Sequence, residues 1–283
     1  MEMPVTYKTI VIILDAPENA GIASDFGLAL AAAHSAHVIG LHAEVVSAVP
    51  MVAPMEIPDP IAVQALQDMA RTEAVGIEEL FRNKAAAAGC SFEWRSFTSS
   101  VGYATQPILE TVRSADLIIA VQADPANPSD AHIEVESFLF ESGRPVLMVP
   151  YMRTAPMSIR RVLIAWNGSK EAARATFDAL PFLMAADAVE VLSVDPSENA
   201  NQAAISGADL TATLIRHGVK ATLSKTVSAE KSASQVIETR LVDDSVDLLV
   251  MGAYTHSRLW QMIFGGTTKA VLKSMTALTL LSR

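Results

Sequence analysis

The chain has 283 residues, 51% of them hydrophobic and 18% charged, with a formal net charge of -10 and a mean hydropathy of +0.31. That apolar content excludes a disordered chain. The negative balance argues against nucleic acid or an anionic membrane as a partner, because both need clustered Lys and Arg to displace counterions. Cys90 is the single cysteine, which rules out an intramolecular disulfide and a thiolate metal cluster.

At about 100 to 200 residues per domain, the length favours two domains. No run reaches about 18 uninterrupted apolar residues, and the first residues lack a basic stretch followed by a hydrophobic one, so a soluble cytoplasmic protein is expected.

In chain order, residues 9–15 form an apolar run closed by Asp15, residues 21–35 an alanine-rich helix, and residues 38–42 a second apolar strand. His34 and His37 straddle the end of that helix, where a cation would be favoured by the helix dipole. With His42 they make the one histidine cluster, but no Cys or acid stands near enough in sequence to complete a metal site, and no metal is expected. Residues 46–61 carry Pro50, Met51, Pro54, Met55 and Pro58, which no regular helix accommodates; the segment reads as a partner surface or a cover over the next helix. Cys90 follows an alanine-rich helical stretch and reads as a buried, inert thiol. A helix through 108–112 leads to a strand at 115–120, and the loop after it holds Asp124, Asp130, Glu134 and Glu136 without a glycine. Ser129 or Asp130 reads as the N-cap of a helix reaching Ser142, with Gly143 closing it, and the half ends on a strand at 145–149.

The pattern then repeats. Residues 161–167 match 9–15 and end in Asn167; a helix at 170–185, a strand at 189–194, a helix through 236–240, a strand at 246–250 and a closing strand at 278–281 follow in the same order. Short apolar strands alternating with amphipathic helices specify parallel sheets covered on both faces and, with right-handed crossovers, doubly wound. The expected fold is therefore α/β, two tandem doubly wound sheets, with domains at 1–151 and 158–283 separated where 152–157 breaks both periodicities.

The ligand crevice of such a sheet lies beyond the carboxyl ends of the strands, where strand order reverses. Asp15 and Asn167 end the first strand of each half there. Either could hydrogen-bond a base or ribose, and either could equally form a turn or cap. In the second half Gly252 follows the 246–250 strand, and Gly265, Gly266, Thr267 and Thr268 open the last helix. Glycine at 252 permits close backbone approach to a ligand or merely a sharp turn. The glycine pair and threonines suit a phosphate at a helix N-terminus or an ordinary N-cap, and spacing does not separate the two. His256 lies inside this run, where it could touch a phosphate, and Arg258 and Lys269 flank it.

These residues resemble the universal stress protein family, whose nucleotide-binding members carry Gly, two residues, Gly, nine residues, Gly, then Ser or Thr. Gly252 takes the first place, Thr255 replaces the second glycine, Gly265 takes the third, and Gly266 stands where Ser or Thr is usual, with Thr267 one place later. The resemblance spans both halves and implies a tandem member. Its sheets would be five-stranded and adenine nucleotide alpha hydrolase-like, related by a pseudo-twofold as an intramolecular pseudo-dimer, with a further homodimer left open.

It implies a stress-response binding or signalling module that takes ATP or another adenine nucleotide in the second half, through Asn167, Gly252, Thr255, His256, Gly265, Gly266 and Thr267, and acts on an unknown protein partner. The first half, with its acidic loop, reads as a copy that has lost the site. The alternatives are a ligand-free association module with both sites vestigial, or a slow ATP hydrolase. No nucleophile elbow, P-loop or paired-carboxylate pattern supplies catalytic residues for the last.

Overall fold

The computed structural model describes residues 6–46, 59–100, 105–124, 139, 141–194, 200–228, 231–253, 271–272 and 274–283. The chain divides into two compact units. One comprises Tyr7–Ser142 with Arg153–Pro156, and the other Gly143–Met152 and Met157–Arg283 with Met1–Thr6.

The first unit runs β1 (Thr9–Ile13), α1 (Pro17–His34), β2 (His37–Val46), α2 (Pro60–Ala88), β3 (Phe92–Ser100), α3 (Thr105–Val112) and β4 (Leu117–Val121). Its strands lie in the order β3-β2-β1-β4, all parallel. The second contains β5 (Val146–Val149), β6 (Arg161–Ala165), α4 (Lys170–Asp178), α5 (Leu180–Ala185), β7 (Ala188–Val194), α6 (Ala200–Arg216), β8 (Ala221–Thr226), α7 (Ala233–Asp243), β9 (Leu248–Gly252) and β10 (Leu278–Ser282). Its order is β5-β10-β9-β6-β7-β8, parallel except for β5 against β10.

This is the mostly parallel, helix-covered α/β architecture that the alternation of apolar strands and helices specifies. Each half of the sequence supplies five strands, β1 to β5 and β6 to β10, as expected. β5 closes the first half in sequence, yet it pairs antiparallel with β10 inside the second unit, through Thr279↔Met148, Leu280↔Leu147 and Leu281↔Val146. Both strands are buried along their whole length, and the ladder covers an edge of β10 that would otherwise present unpaired backbone groups. The helix expected over 170–185 is two helices, because Pro181, with no amide to donate, starts α5 afresh after Ala179. Of the proline- and methionine-rich stretch, 47–58 lies outside the described residues. Ile61 already belongs to α2, whose start is capped by the Asp59 carboxylate accepting from Ile61 N at 3.0 Å. The caps read at Ser129 and Asp130 also lie outside the described residues, whereas Gly143 has the left-handed φ of 65° that suits a helix stop.

Packing onto the sheet follows the helical period. On α2, Ala74, Ile77, Phe81 and Ala85 are buried at spacings of three and four. Phe81 meets Phe92 edge-on at 5.7 Å and Trp94 at 5.8 Å, over the backbone of Gly40, where a β-carbon would fall 2.6 Å from the ring. Cys90 is half-buried rather than buried, its thiol 3.8 Å from the carbonyl of Leu28, because it sits one residue past the helix stop at Gly89.

One arrangement occurs in both units. The Asp116 carboxylate accepts from Lys8 N at 2.7 Å and Thr9 N at 2.9 Å; the Asp247 carboxylate accepts from Arg160 N at 2.8 Å and Arg161 N at 2.9 Å. The backbone is duplicated with it: Asp116 N donates to Thr9 O, and Asp247 N to Arg161 O, each at 2.9 Å. Each acid thus stitches the entry of one strand, β1 or β6, to the approach of the strand beside it, β4 or β9. Replacing Asp247 by Ala leaves two amides without their charged acceptor and is expected to lower stability by about 1–3 kcal/mol in urea denaturation; Asp116→Ala should behave alike.

His34 departs from expectation. It ends α1, where the dipole favours a cation, but burial, and then the nearby Lys8 ammonium, hold its pKa below the ordinary 6.5. Lys8 Nζ donates to the His34 carbonyl at 3.3 Å, and Tyr7 meets the ring edge-on at 5.2 Å. The unfolded chain therefore binds this proton more readily than the folded one. The contribution to stability is complete above the unfolded value near 6.5 and is lost as pH falls from there through the lowered folded value. His34→Gln should flatten the dependence of thermal midpoint on pH in that window.

Candidate functional site

In the second unit the chain runs β6, β7, β8 outward and then returns to place β9 on the other side of β6, so strand order reverses between β6 and β9. Ala165 on β6 stands opposite Met251 on β9. Asn167 and Gly252 therefore flank the crevice at the reversal, where open parallel sheets bind ligands.

The turn after β6 is built by its own side chains. Trp166 is buried, with its amide donating to Leu192 O at 2.8 Å. The exposed Asn167 accepts from Ser169 N at 3.1 Å through its side-chain carbonyl, closing an Asx turn over Gly168 at φ 77°. Ser169 then caps α4, its hydroxyl accepting from Ala172 N at 3.1 Å. Lys170 and Glu171 supply the first helical amides, which have no acceptor within the helix, and no described acceptor takes them. Glu171 is buried at this helix head, where the dipole favours a carboxylate, with Lys170 Nζ 3.7 Å away.

Gly252 ends β9 directly against that head. A β-carbon there would lie 2.5 Å from Ala172 N and 2.6 Å from Glu171 C, both backbone atoms that cannot swing aside. The glycine is required by contact between strand end and helix, and its φ is not in the left-handed region. Ala253, fully buried, continues the sheet with its amide on Ser282 O at 2.8 Å. Thr255, His256, Gly265, Gly266 and Thr267 lie outside the described residues, as do Arg258 and Lys269. The structure thus brings together Asn167 and Gly252. It also adds Gly168, Ser169 and Glu171, whose signal in the sequence is the Asn-Gly-Ser turn before a helical run.

The first unit has the same reversal between β1 and β4 but a different edge. Ala16 is the N-cap of α1 with no side-chain bond, and Pro17 takes the first turn. By register the counterpart of Gly252 is Val121, a buried side chain, followed by buried Gln122 and half-buried Asp124. His42 is buried there, its Nδ1 2.6 Å from Leu14 O, and stacks on Trp94 at 6.1 Å. Among the described residues no group of three His, Cys, Asp or Glu is placed to hold a metal, and no helix is long and apolar enough to cross a membrane.

Residues 158–283 match the model of the Universal stress protein family. Along its whole length the chain superimposes on a universal stress protein from Archaeoglobus fulgidus DSM 4304, with a TM-score of 0.73 at 16% identity, covering 97% of this chain and 98% of that one. It also superimposes on a functionally unknown protein from Pseudomonas aeruginosa PAO1, with a TM-score of 0.61 at 16% identity, covering 98% and 92%. At these identities the likeness is one of fold. No curated protein sequence matches the chain. Residues 158–283 are thus a universal stress protein domain, and the chain as a whole shares the two-unit fold of these solved structures.

The contact at Gly252 generates a direct test. Gly252→Ala forces the end of β9 away from α4 and should destabilise the protein by about 1–3 kcal/mol, read as an earlier thermal midpoint, even with no nucleotide present.

Proposed function

We propose that the second-half domain binds an adenine nucleotide, ATP among them, and that the protein works as a stress-response binding or signalling module in the cytoplasm. The carrying observation is the juxtaposition of Asn167, the capped head of α4 and Gly252 at the strand-order reversal. Asn167 offers an amide to the base or ribose, and the first amides of α4 lie at the positive end of a helix. The glycines and hydroxyl of Gly265, Gly266 and Thr267, with Thr255 and His256 in the same run, are the proposed phosphate contacts. Metal is not part of this reading. The first half lacks the glycine and the cap, and its role is structural or in partner binding.

Titration calorimetry of nucleotide-stripped protein with ATP and AMP tests the proposal. Saturable heat at millimolar ligand or below is expected, with Asn167→Ala weakening binding by about tenfold, equivalent to one lost hydrogen bond in a confined site. Absence of heat and of thermal stabilisation at millimolar ligand would overturn it. The second reading, a ligand-free association module, draws on Gly252, whose contact with α4 explains the glycine without any ligand, and on the buried Glu171 carboxylate beside the proposed phosphate. On that reading Gly265→Leu leaves function intact in a folded protein.

A further inference from the structure

Along the outer side of the second unit, at the carboxyl end of the edge strand β8, lies a cleft of about 770 Å³. It is separate from Asn167 and Gly252. One wall is a single face of α7, formed by Val236, Thr239, Arg240 and Asp243 at spacings of three, one and three. The other is formed by Thr226, at the end of β8, with Val227, Ser228 and Lys231.

The charges in this cleft fall into two kinds. Arg240 is matched from below and from its own helix, 3.6 Å from the Glu190 carboxylate and 3.3 Å from that of Asp244. Lys231 and Asp243 are exposed, and among the described residues neither has a partner for its charged group. The head of α7 is closed by a reciprocal capping box, the Ser232 hydroxyl accepting from Gln235 N at 3.3 Å while the Gln235 side chain accepts from Ser232 N at 2.8 Å. The positive character at that end therefore belongs to Lys231 and not to open helix amides. Between the two ends the surface is mild: Val236 and the 78% exposed Val227 are apolar, and Thr239 donates to Gln235 O at 2.7 Å, which leaves its oxygen outward as an acceptor.

The 11 residues of helix from Ala233 to Asp243 span roughly 16 Å, with Lys231 just beyond. An extended chain advances about 3.3 Å per residue, so the two unpartnered charges are about five residues apart on a docked strand. The volume is in the range that encloses a small ligand or short segment, about 300–1,000 Å³. β8, as the edge strand, offers backbone groups beside the cleft of the kind that extended peptides use.

We propose that this cleft docks an extended peptide segment of a protein partner, about five residues long, acidic where it meets Lys231 and basic where it meets Asp243, with small or β-branched side chains between. Binding here does not depend on the nucleotide reading. The experiment is fluorescence polarisation with labelled pentapeptides of small and β-branched residues bearing one acidic and one basic end, two acidic ends, or two basic ends. The dipolar peptide should bind the wild-type protein saturably and at least fivefold more tightly than either control. Lys231→Glu should transfer the preference to the peptide with two basic ends, and Asp243→Lys to the one with two acidic ends, both variants keeping the wild-type thermal midpoint because the positions are exposed. Asn167→Ala should leave peptide binding unchanged. Lack of saturable binding by the dipolar peptide, or a ranking of the three peptides that neither charge reversal alters, would overturn the proposal.

Discussion

In each unit a carboxylate holds two backbone amides at the entry of a central strand: Asp116 on Lys8 and Thr9 at β1, Asp247 on Arg160 and Arg161 at β6. Parallel strands have no tight turn to set their register, since the crossover between them is a whole helix. A side chain that ties the entry of one strand to the approach of its non-sequential neighbour supplies that reference directly. Once Ile10 is opposite Leu117, and Val162 opposite Leu248, the carboxyl ends of the same strands are placed some five residues away. The crevice at the reversal is thus aligned from the opposite end of the sheet.

At those carboxyl ends the two units diverge. In the second, an Asx turn, a serine cap and a strand ending in glycine converge so closely that a single β-carbon would collide with the helix backbone. In the first, a proline-started helix without a side-chain cap faces a valine. The common frame is carried by buried apolar strands and the stitching aspartates, and these tolerate change at the rim because the rim contributes little to the core. One scaffold can therefore carry a capped edge ending in glycine in one copy and an uncapped edge ending in valine in the other.

Much of this was legible in the chain. Runs such as residues 10–13 and 117–121 are apolar at every position, which only a strand buried on both faces requires, and their recurrence in the second half showed the duplication. Asn167 and Gly252 were legible as site candidates from their places at strand ends. Other features depend on neighbours remote in sequence. Nothing local assigns β5 to the unit formed by the second half, because an apolar four-residue strand can add to any free edge. The neutral preference of His34 comes from burial and from Lys8, 26 residues away, which together outweigh the helix end that the local sequence displays.

By itself, then, the sequence determined eight of the ten strands, β1, β2, β4 to β7, β9 and β10, their order and the duplicated α/β plan, because hydrophobic period and turn chemistry are local properties of the chain. Tertiary structure alone decided that β5 runs antiparallel to β10, that Gly252 is demanded by the head of α4, and that Lys231 and Asp243 stand at opposite ends of one cleft. Those outcomes depend on distances between segments brought together by the crossovers, and distance across a fold is not a periodic property of the residues on either side.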